Sequence, residues 1–239
     1  LPTAVLSGHF AALPQVSVLD LTDRMGQIAG DWAVGGLTFD GIFSGYLGSP
    51  AQAGQVADFV DRFRGAQTLF VADPAMADQG RLYRGFGPEQ VAAMTGLCTR
   101  ADVALPNVTE ACLMLDEPYR ERHDRDYTRR LLQGMADLGA KRVVLTGVSL
   151  SPDRVGIGCL DETGLWFGDR PRTPGHYNGT GVLTAAMVSG QSFRRAAERA
   201  MDFTSLVIAR TAENPDHRPY GVDFEPCLPL LWKNPAGLP

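Results

Sequence analysis

Between Gly36 and Leu145 the chain alternates short apolar runs with amphipathic stretches, and this alternation limits its possible folds more than any other feature. Gly36 to Gly45 carries Leu37, Phe39, Ile42 and Phe43. Thr68-Leu69-Phe70-Val71-Ala72 stops at Asp73-Pro74, Ala101 to Leu105 stops at Pro106-Asn107, and Arg142-Val143-Val144-Leu145 stops at Thr146-Gly147. Apolar runs without polar alternation mark strands buried on both faces. Helical spacing fills the intervals. Gln52 to Arg64 sets Val56, Phe59, Val60 and Phe63 on one stripe, and Pro88 to Thr99 has proline in its first turn. Asn107 to Leu115 opens with a polar cap, and Asp126 to Leu138 is closed by Gly139. Thr3 to Ser7 reads as another short strand, Val155 to Leu160 with Gly164 to Phe167 as a hairpin, and Ser192 to Ala212 as a long closing helix. The expectation is an α/β fold with a mainly parallel central sheet and helices on both faces. Ligands in such sheets bind beyond the carboxyl ends of the strands.

A chain of 239 residues, 44% hydrophobic and 21% charged, is long enough for one domain with a sizeable core. Its net charge of −5 and the absence of a basic patch argue against nucleic acid and anionic membrane as partners. Cys98, Cys112, Cys159 and Cys227 are far apart, as are His9, His123, His176 and His217, so no zinc or disulfide framework is indicated. Isolated cysteines suit a reducing cytoplasm. No apolar run approaches the ~20 residues of a membrane span. The start, Leu1-Pro2-Thr3-Ala4-Val5-Leu6, has no basic leader region and reads as if it begins inside a loop and strand. Glu117 to Arg130 is a dense charge run, read as a solvated loop and helix start, with a mobile lid as the alternative.

Polar signatures stand at successive strand ends. After Val71, Asp73 and Asp78 share a loop with Gly80; they suit Mg²⁺ held through water beside a phosphate, or else a turn rich in caps. After Leu105, Asn107 and Glu110 point the same way from a helix start, as a metal–water shell needs and as a capping box needs too. After Leu145, Thr146-Gly147-Val148-Ser149 forms a small hydroxyl-bearing turn able to approach a nucleotide. Finally Tyr177-Asn178-Gly179-Thr180-Gly181-Val182 precedes a small-residue helix pattern, where bare N–H groups and the helix dipole make an anion hole, or else a plain strand-to-helix turn.

This ordered set, Asp-Pro-x-Met-x-Asp-x-Gly-x-x-Tyr, Pro-Asn-x-x-Glu, Thr-Gly-x-Ser and Gly-Thr-Gly, closely resembles the pyridoxal kinase family, a branch of the ribokinase-like fold. The match is nearest to its bacterial pyridoxine/pyridoxamine kinases. Ala4-Val5-Leu6-Ser7-Gly8-His9, Asp40-Gly41-Ile42-Phe43-Ser44-Gly45-Tyr46-Leu47-Gly48-Ser49 and Asn107 to Leu113 support that branch, and the resemblance covers nearly the whole chain. It implies transfer of the ATP γ-phosphoryl group to the 5′-hydroxyl of a B6 vitamer, with a carboxylate taking the alcohol proton. Asp73 and Glu110 would position Mg²⁺ and the phosphates, with Asn107 beside them. Asp78 and Tyr83 would shape the nucleotide side and Thr146 would touch the nucleotide. Gly179, Thr180 and Gly181 would cradle the transferred group, and Ser7, His9 and Tyr46 would face the pyridine ring. A cytoplasmic homodimer is the default for the family. The resemblance also implies a single ribokinase-like domain over residues 1–239, with the family's first β-α unit (~30 residues) missing before Leu1.

Two departures qualify the match. Phe10 stands where the family often carries threonine after the histidine. In the family, Gly-Thr-Gly is followed by the aspartate base and a hydrophobic turn, yet here Val182-Leu183-Thr184-Ala185-Ala186-Met187 fits the later Val-Leu-rich stretch. The alternatives are a hydroxymethylpyrimidine kinase of thiamin synthesis, whose Gly-Thr-Gly is usually followed by a cysteine absent here, and a catalytically dead vitamer-binding protein. The expectation is that about one helical turn, ~4 residues, is missing between Gly181 and Val182. Sequencing the encoding DNA should show extra codons there beginning with Asp. Adjacent Gly181 and Val182 codons would point to the catalytically dead protein.

Overall fold

The computed structural model describes residues 1–8, 15–175, 192–217 and 221–233. Six strands form the central sheet: β3 (Gly41–Ser44), β4 (Leu69–Ala72), β7 (Val103–Ala104), β8 (Val143–Ser151), β9 (Arg154–Asp161) and β10 (Gly164–Pro171). They lie in the order β10-β9-β8-β7-β4-β3. The pairs β3–β4, β4–β7 and β7–β8 are parallel, while β8–β9–β10 is an antiparallel meander. The parallel half is reached through crossover helices and the antiparallel half through tight turns.

Alternate strand residues feed two cores. Phe70, Ala72, Ala104, Val143 and Leu145 face a cluster built with α1 (Thr22–Val34), α2 (Pro50–Phe63), α3 (Pro88–Arg100), α4 (Val108–Leu115) and α5 (Arg125–Asp137). Val71, Val103, Leu105 and Val144 face the other side, where α6 (Phe193–Glu213) packs through Phe193, Ala197, Ala200 and Met201. Helices thus cover both faces, as the apolar runs imply. Polar caps start these helices: Ser49 accepts from Gln52 N–H, Asp124 from Tyr127 N–H and Ser192 from Arg195 N–H.

Several local expectations are corrected. The Thr3–Ser7 strand forms as β1 (Ala4–Leu6), but it pairs antiparallel with β2 (Val18–Asp20) in a separate two-stranded sheet. The unpredicted elements β2 and α1 break the simple strand–helix alternation there. Only Gly41–Ser44 of the Gly36–Gly45 stretch is strand. Thr146-Gly147 is no terminal turn, because β8 runs on to Ser151 alongside β9, with a register shift between Thr146 and Val148 and Gly147 at φ +74°. Two small strands, β5 (Ala77–Asp78) and β6 (Arg81–Leu82), flank Gln79-Gly80, both at positive φ, as a two-residue hairpin turn requires. Asp78 therefore sits on a hairpin and not in an open loop.

The β9–β10 hairpin depends on Gly156. A Cβ there would fall 1.9 Å from the Gly168 carbonyl oxygen and 2.5 Å from Asp169 Cα, both backbone atoms of the paired strand. Gly156→Ala should destabilise the protein by about 1–3 kcal/mol, the usual cost of overpacking, read as a lower urea midpoint. An unchanged midpoint would show that these strands separate freely.

Candidate active site

The polar strand ends converge at the carboxyl edge of the parallel strands. Asp73 leaves β4 with its N–H bonded to the Ser44 carbonyl at 2.8 Å, and Leu105 N–H bonds the Ala72 carbonyl at 2.8 Å. Asn107 then caps α4 in a full capping box. Its Oδ1 accepts from Glu110 N–H at 2.9 Å, and Glu110 Oε2 accepts from Asn107 N–H at 2.8 Å. Glu110 Oε1 faces the other segment, accepting from Met76 N–H at 3.1 Å and Ala77 N–H at 3.4 Å. Asn107 Nδ2 returns a bond to the Ala77 carbonyl at 2.7 Å, and Thr109 Oγ1 accepts from Gly80 N–H at 3.0 Å. The β5–β6 hairpin is thereby bolted to the start of α4. Asn107 and Thr146 form a parallel bridge, which brings the third polar signature alongside.

The capping-box reading of Asn107 and Glu110 is realised in full, and it leaves a buried carboxylate beside Asp73. Burial pushes the Asp73 carboxyl up to about 6, opposed by the Ala75 N–H. Burial pushes Glu110 up to about 8; the Asn107 N–H opposes this and the charge of Asp73 adds to it. Tyr83 lies in the same field and is pushed up to about 12 by burial and then by Glu110, Asp78 and Asp73. Among the described residues neither Asp73 nor Glu110 has an ion-pair partner. Two hard oxygen donors in each other's field, without a protein cation, fit a divalent cation such as Mg²⁺. Among the described residues no three His, Cys, Asp or Glu side chains gather as a complete ligand set, so water and phosphate oxygens would complete the shell.

Two further surfaces belong to this region. Tyr46 stacks on Phe86 with ring centroids 5.6 Å apart, and Tyr83 lies 6.5 Å from Phe86, a partly exposed aromatic platform suited to a flat ring. A cavity of about 380 Å³ opens between the sheet and α6, lined in part by Asp78, Thr146, Gly147, Arg170, Met201 and Ile208. Asp78 and Thr146 thus share one cavity, whose lining does not include Asp73. Arg170, which the sequence reading missed, is paired to Asp202 of α6 at 2.6 Å. Its polar neighbourhood Asp169-Arg170-Pro171-Arg172 at the hairpin end was the available signal. Ser7 follows β1, exposed, with its Oγ accepting from Ser17 N–H at 2.9 Å. His9, Gly179, Thr180, Gly181 and the Gly181–Val182 junction lie outside the described residues. Among the described residues no helix is long and apolar enough to cross a membrane.

This fold and this edge define a ribokinase-like α/β kinase. A family model described as phosphomethylpyrimidine kinase matches residues 29–220. A pyridoxal kinase from Lactobacillus plantarum is 32% identical with a TM-score of 0.87, covering 99% of this chain and 87% of its own. A candidate phosphomethylpyrimidine kinase from Bacteroides thetaiotaomicron is 38% identical with a TM-score of 0.90, covering 96% of this chain and 82% of its own; its orthorhombic crystals contain pyridoxal. Pyridoxal kinase PdxY of Burkholderia mallei is 27% identical over 85% of this chain and 73% of its own length. The chain belongs to the phosphomethylpyrimidine kinase family and, within it, to the pyridoxal kinases, and it is an enzyme.

The two raised carboxyls make a pH prediction. Their folded values, about 6 and about 8, lie above the ordinary 3.8 and 4.5, so the unfolded chain releases these protons first. Stability contributed by the protonated forms is whole at low pH and is lost as pH rises through the folded values. The urea midpoint of the metal-free protein should fall between about pH 4 and 8, and Glu110→Gln should flatten the upper part of that fall. Identical slopes in the two proteins would contradict the buried, unpaired state of Glu110.

Proposed function

We propose that this enzyme transfers the γ-phosphoryl group of ATP to the 5′-hydroxyl of a B6 vitamer, pyridoxal, pyridoxine or pyridoxamine. The observation that carries this reading is the pair of half-buried Asp73 and buried Glu110, without an ion-pair partner among the described residues, in a region that also holds an aromatic platform and a nucleotide-sized cavity. The platform at Tyr46 receives the pyridine ring and presents its hydroxymethyl group, and the family resemblance assigns Ser7 and His9 to the same ring. The cavity takes the nucleotide, with Thr146 touching it and Asp78 and Tyr83 shaping the passage. Cavities of this volume are typical for small ligands.

Phosphoryl transfer is mostly positioning and charge stabilisation. Asp73 and Glu110, with Asn107 beside them, would hold Mg²⁺, which when bound neutralises the phosphate charge. By the family resemblance, Gly179, Thr180 and Gly181 would supply backbone N–H groups to the transferred group. Residues 1–239 act as a single kinase domain, in a cytoplasmic homodimer. Hydroxymethylpyrimidine phosphorylation is the second reading, because the matching family model carries that description.

The protein should phosphorylate at least one B6 vitamer with MgATP, followed by formation of the 5′-phosphate. No such product, together with brisk phosphorylation of hydroxymethylpyrimidine, would move the enzyme to the second reading. Asp73→Asn and Glu110→Gln should lower Mg²⁺-dependent turnover ~10–100-fold, the usual effect of disturbing a metal's supporting shell, and leave vitamer binding by calorimetry nearly unchanged. Full turnover at low Mg²⁺ in both variants would reduce these residues to caps and turns.

A further inference from the structure

The segment that carries Tyr46 is held from beneath by two buried glutamines. Gln90, in the first turn of α3, donates from Nε2 to the Leu47 carbonyl at 2.9 Å. Gln52, in the first turn of α2 and 0% exposed, accepts the Gly48 N–H on Oε1 at 2.9 Å. Its amide nitrogen faces the opposite way. Nε2 lies 2.9 Å from the Thr3 carbonyl, 3.1 Å from Thr22 Oγ1 and 3.2 Å from Asp20 Oδ1. These acceptors belong to the β1–β2 hairpin and its junction with α1, and Ser7 stands at the end of the same hairpin. Gln55 reinforces the junction, donating to the Thr22 carbonyl at 3.0 Å.

We propose that Gln52 is a positioning residue that fixes the spacing between the two walls of the acceptor pocket, the Tyr46 segment and the β1–β2 hairpin. The inference rests on the reading of Tyr46 and Ser7 as vitamer-facing. The hairpin is a two-stranded sheet outside the central sheet, and all three residues of β2 are exposed. Two strands alone are marginally stable and carry little apolar area to seat them, so their orientation must come from tethers. A primary amide suits this work. It is neutral when buried, and its planar group holds an acceptor and a two-proton donor at fixed separation. Deleting it leaves the Gly48 N–H without its partner and lets the hairpin pivot about α1.

The test is Gln52→Met, which keeps length and removes both hydrogen-bonding functions. The vitamer KM should rise ~10-fold while the ATP KM stays within about twofold, because small misplacement of a binding wall weakens positioning locally. Hydrogen exchange should speed up together at the Gly48 amide and at the Leu21 amide, which shares the Thr3 carbonyl with Gln52. A vitamer KM within about twofold of wild type, or both KM values rising in parallel, would overturn the proposal. If Gln52→Met fails to fold, the double variant Asp20→Ala/Thr22→Val, at solvent-accessible positions, weakens the hairpin arm alone. It should raise the vitamer KM ~3-fold on the same grounds, and an unchanged value would overturn the idea. If the wild-type enzyme phosphorylates no B6 vitamer, the substrate reading fails on its own. Exchange at Gly48 and Leu21 then still decides whether Gln52 couples the two walls: linked acceleration sustains the coupling and unlinked behaviour rejects it.

Discussion

One buried carboxylate organises the functional edge of this protein. The chain leaving β4 and the chain entering α4 both present backbone N–H groups with no strand or helix partner, and Glu110 takes up three of them, from Met76, Ala77 and Asn107. Burying an ionisable group is costly unless it is hydrogen-bonded, and here those bonds close a turn and a helix start at once. Asn107 Nδ2 on the Ala77 carbonyl completes the joint from the other direction. Asp73 leaves β4 just ahead of this joint, so fixing the turn also brings a second carboxylate into the field of the first. The capping of α4 and the charge of the site are therefore one construction.

The aromatic platform and the cavity inherit their positions from that joint. Tyr83 N–H bonds the Met76 carbonyl at 2.8 Å, so the aromatic platform hangs from the segment that Glu110 holds. Asp78 lies on the β5–β6 hairpin, whose tip is tied to Thr109, and it lines the nucleotide-sized cavity. A displacement of Glu110 would move the ring platform and the cavity wall together. The Tyr46 segment is tied at its start to Asp73, whose N–H bonds the Ser44 carbonyl, and further along to Gln90 and Gln52 through Leu47 and Gly48.

Much of this was legible in the sequence, for a physical reason. Strands such as Thr68–Ala72 and Arg142–Leu145 are buried on both faces, so their residues carry an unbroken apolar signal, and the polar residues that end them are local in the chain. Asp73, Asn107, Glu110 and Thr146 could be found because each stands directly after such a run. Helix α1 could not: it buries only Met25 and Ala29, and Val34 is 92% exposed, so no apolar stripe announces it. β2 exposes all three of its residues and carries no burial pattern. Thr146-Gly147-Val148-Ser149 read as a turn because it is small and polar, yet pairing with β9 carries the strand through it. The cavity wall was hidden differently. Met201 and Ile208 look like ordinary core positions of a long helix, and only the packing of α6 across the sheet turns them toward a ligand space.

The opposite edge of the sheet shows what a purely structural carboxylate looks like in this protein. Asp102, just before β7, accepts the Phe70 N–H at 2.9 Å and is paired to Arg64 at 2.5 Å and Lys141 at 3.1 Å. Strand, helix end and loop are tied together there, and two protein cations balance the charge. Asp102 is also more accessible than Glu110, so its charge costs less to hold. At the carboxyl edge the arrangement is reversed. Burial raises the proton affinity of both Asp73 and Glu110, the charge of Asp73 raises that of Glu110 further, and neither has an ion-pair partner among the described residues. At Glu110 both carboxylate oxygens accept N–H bonds, Oε1 from Met76 and Ala77 and Oε2 from Asn107, so the fold there uses the whole carboxylate but sets no protein cation against it. Under the proposed function, a cation brought in beside phosphate oxygens would supply the compensating charge for these two acids. The sheet thus separates its electrostatics by edge, with internal ion pairs at one edge and, at the other, two acids of raised proton affinity that have no ion-pair partner among the described residues.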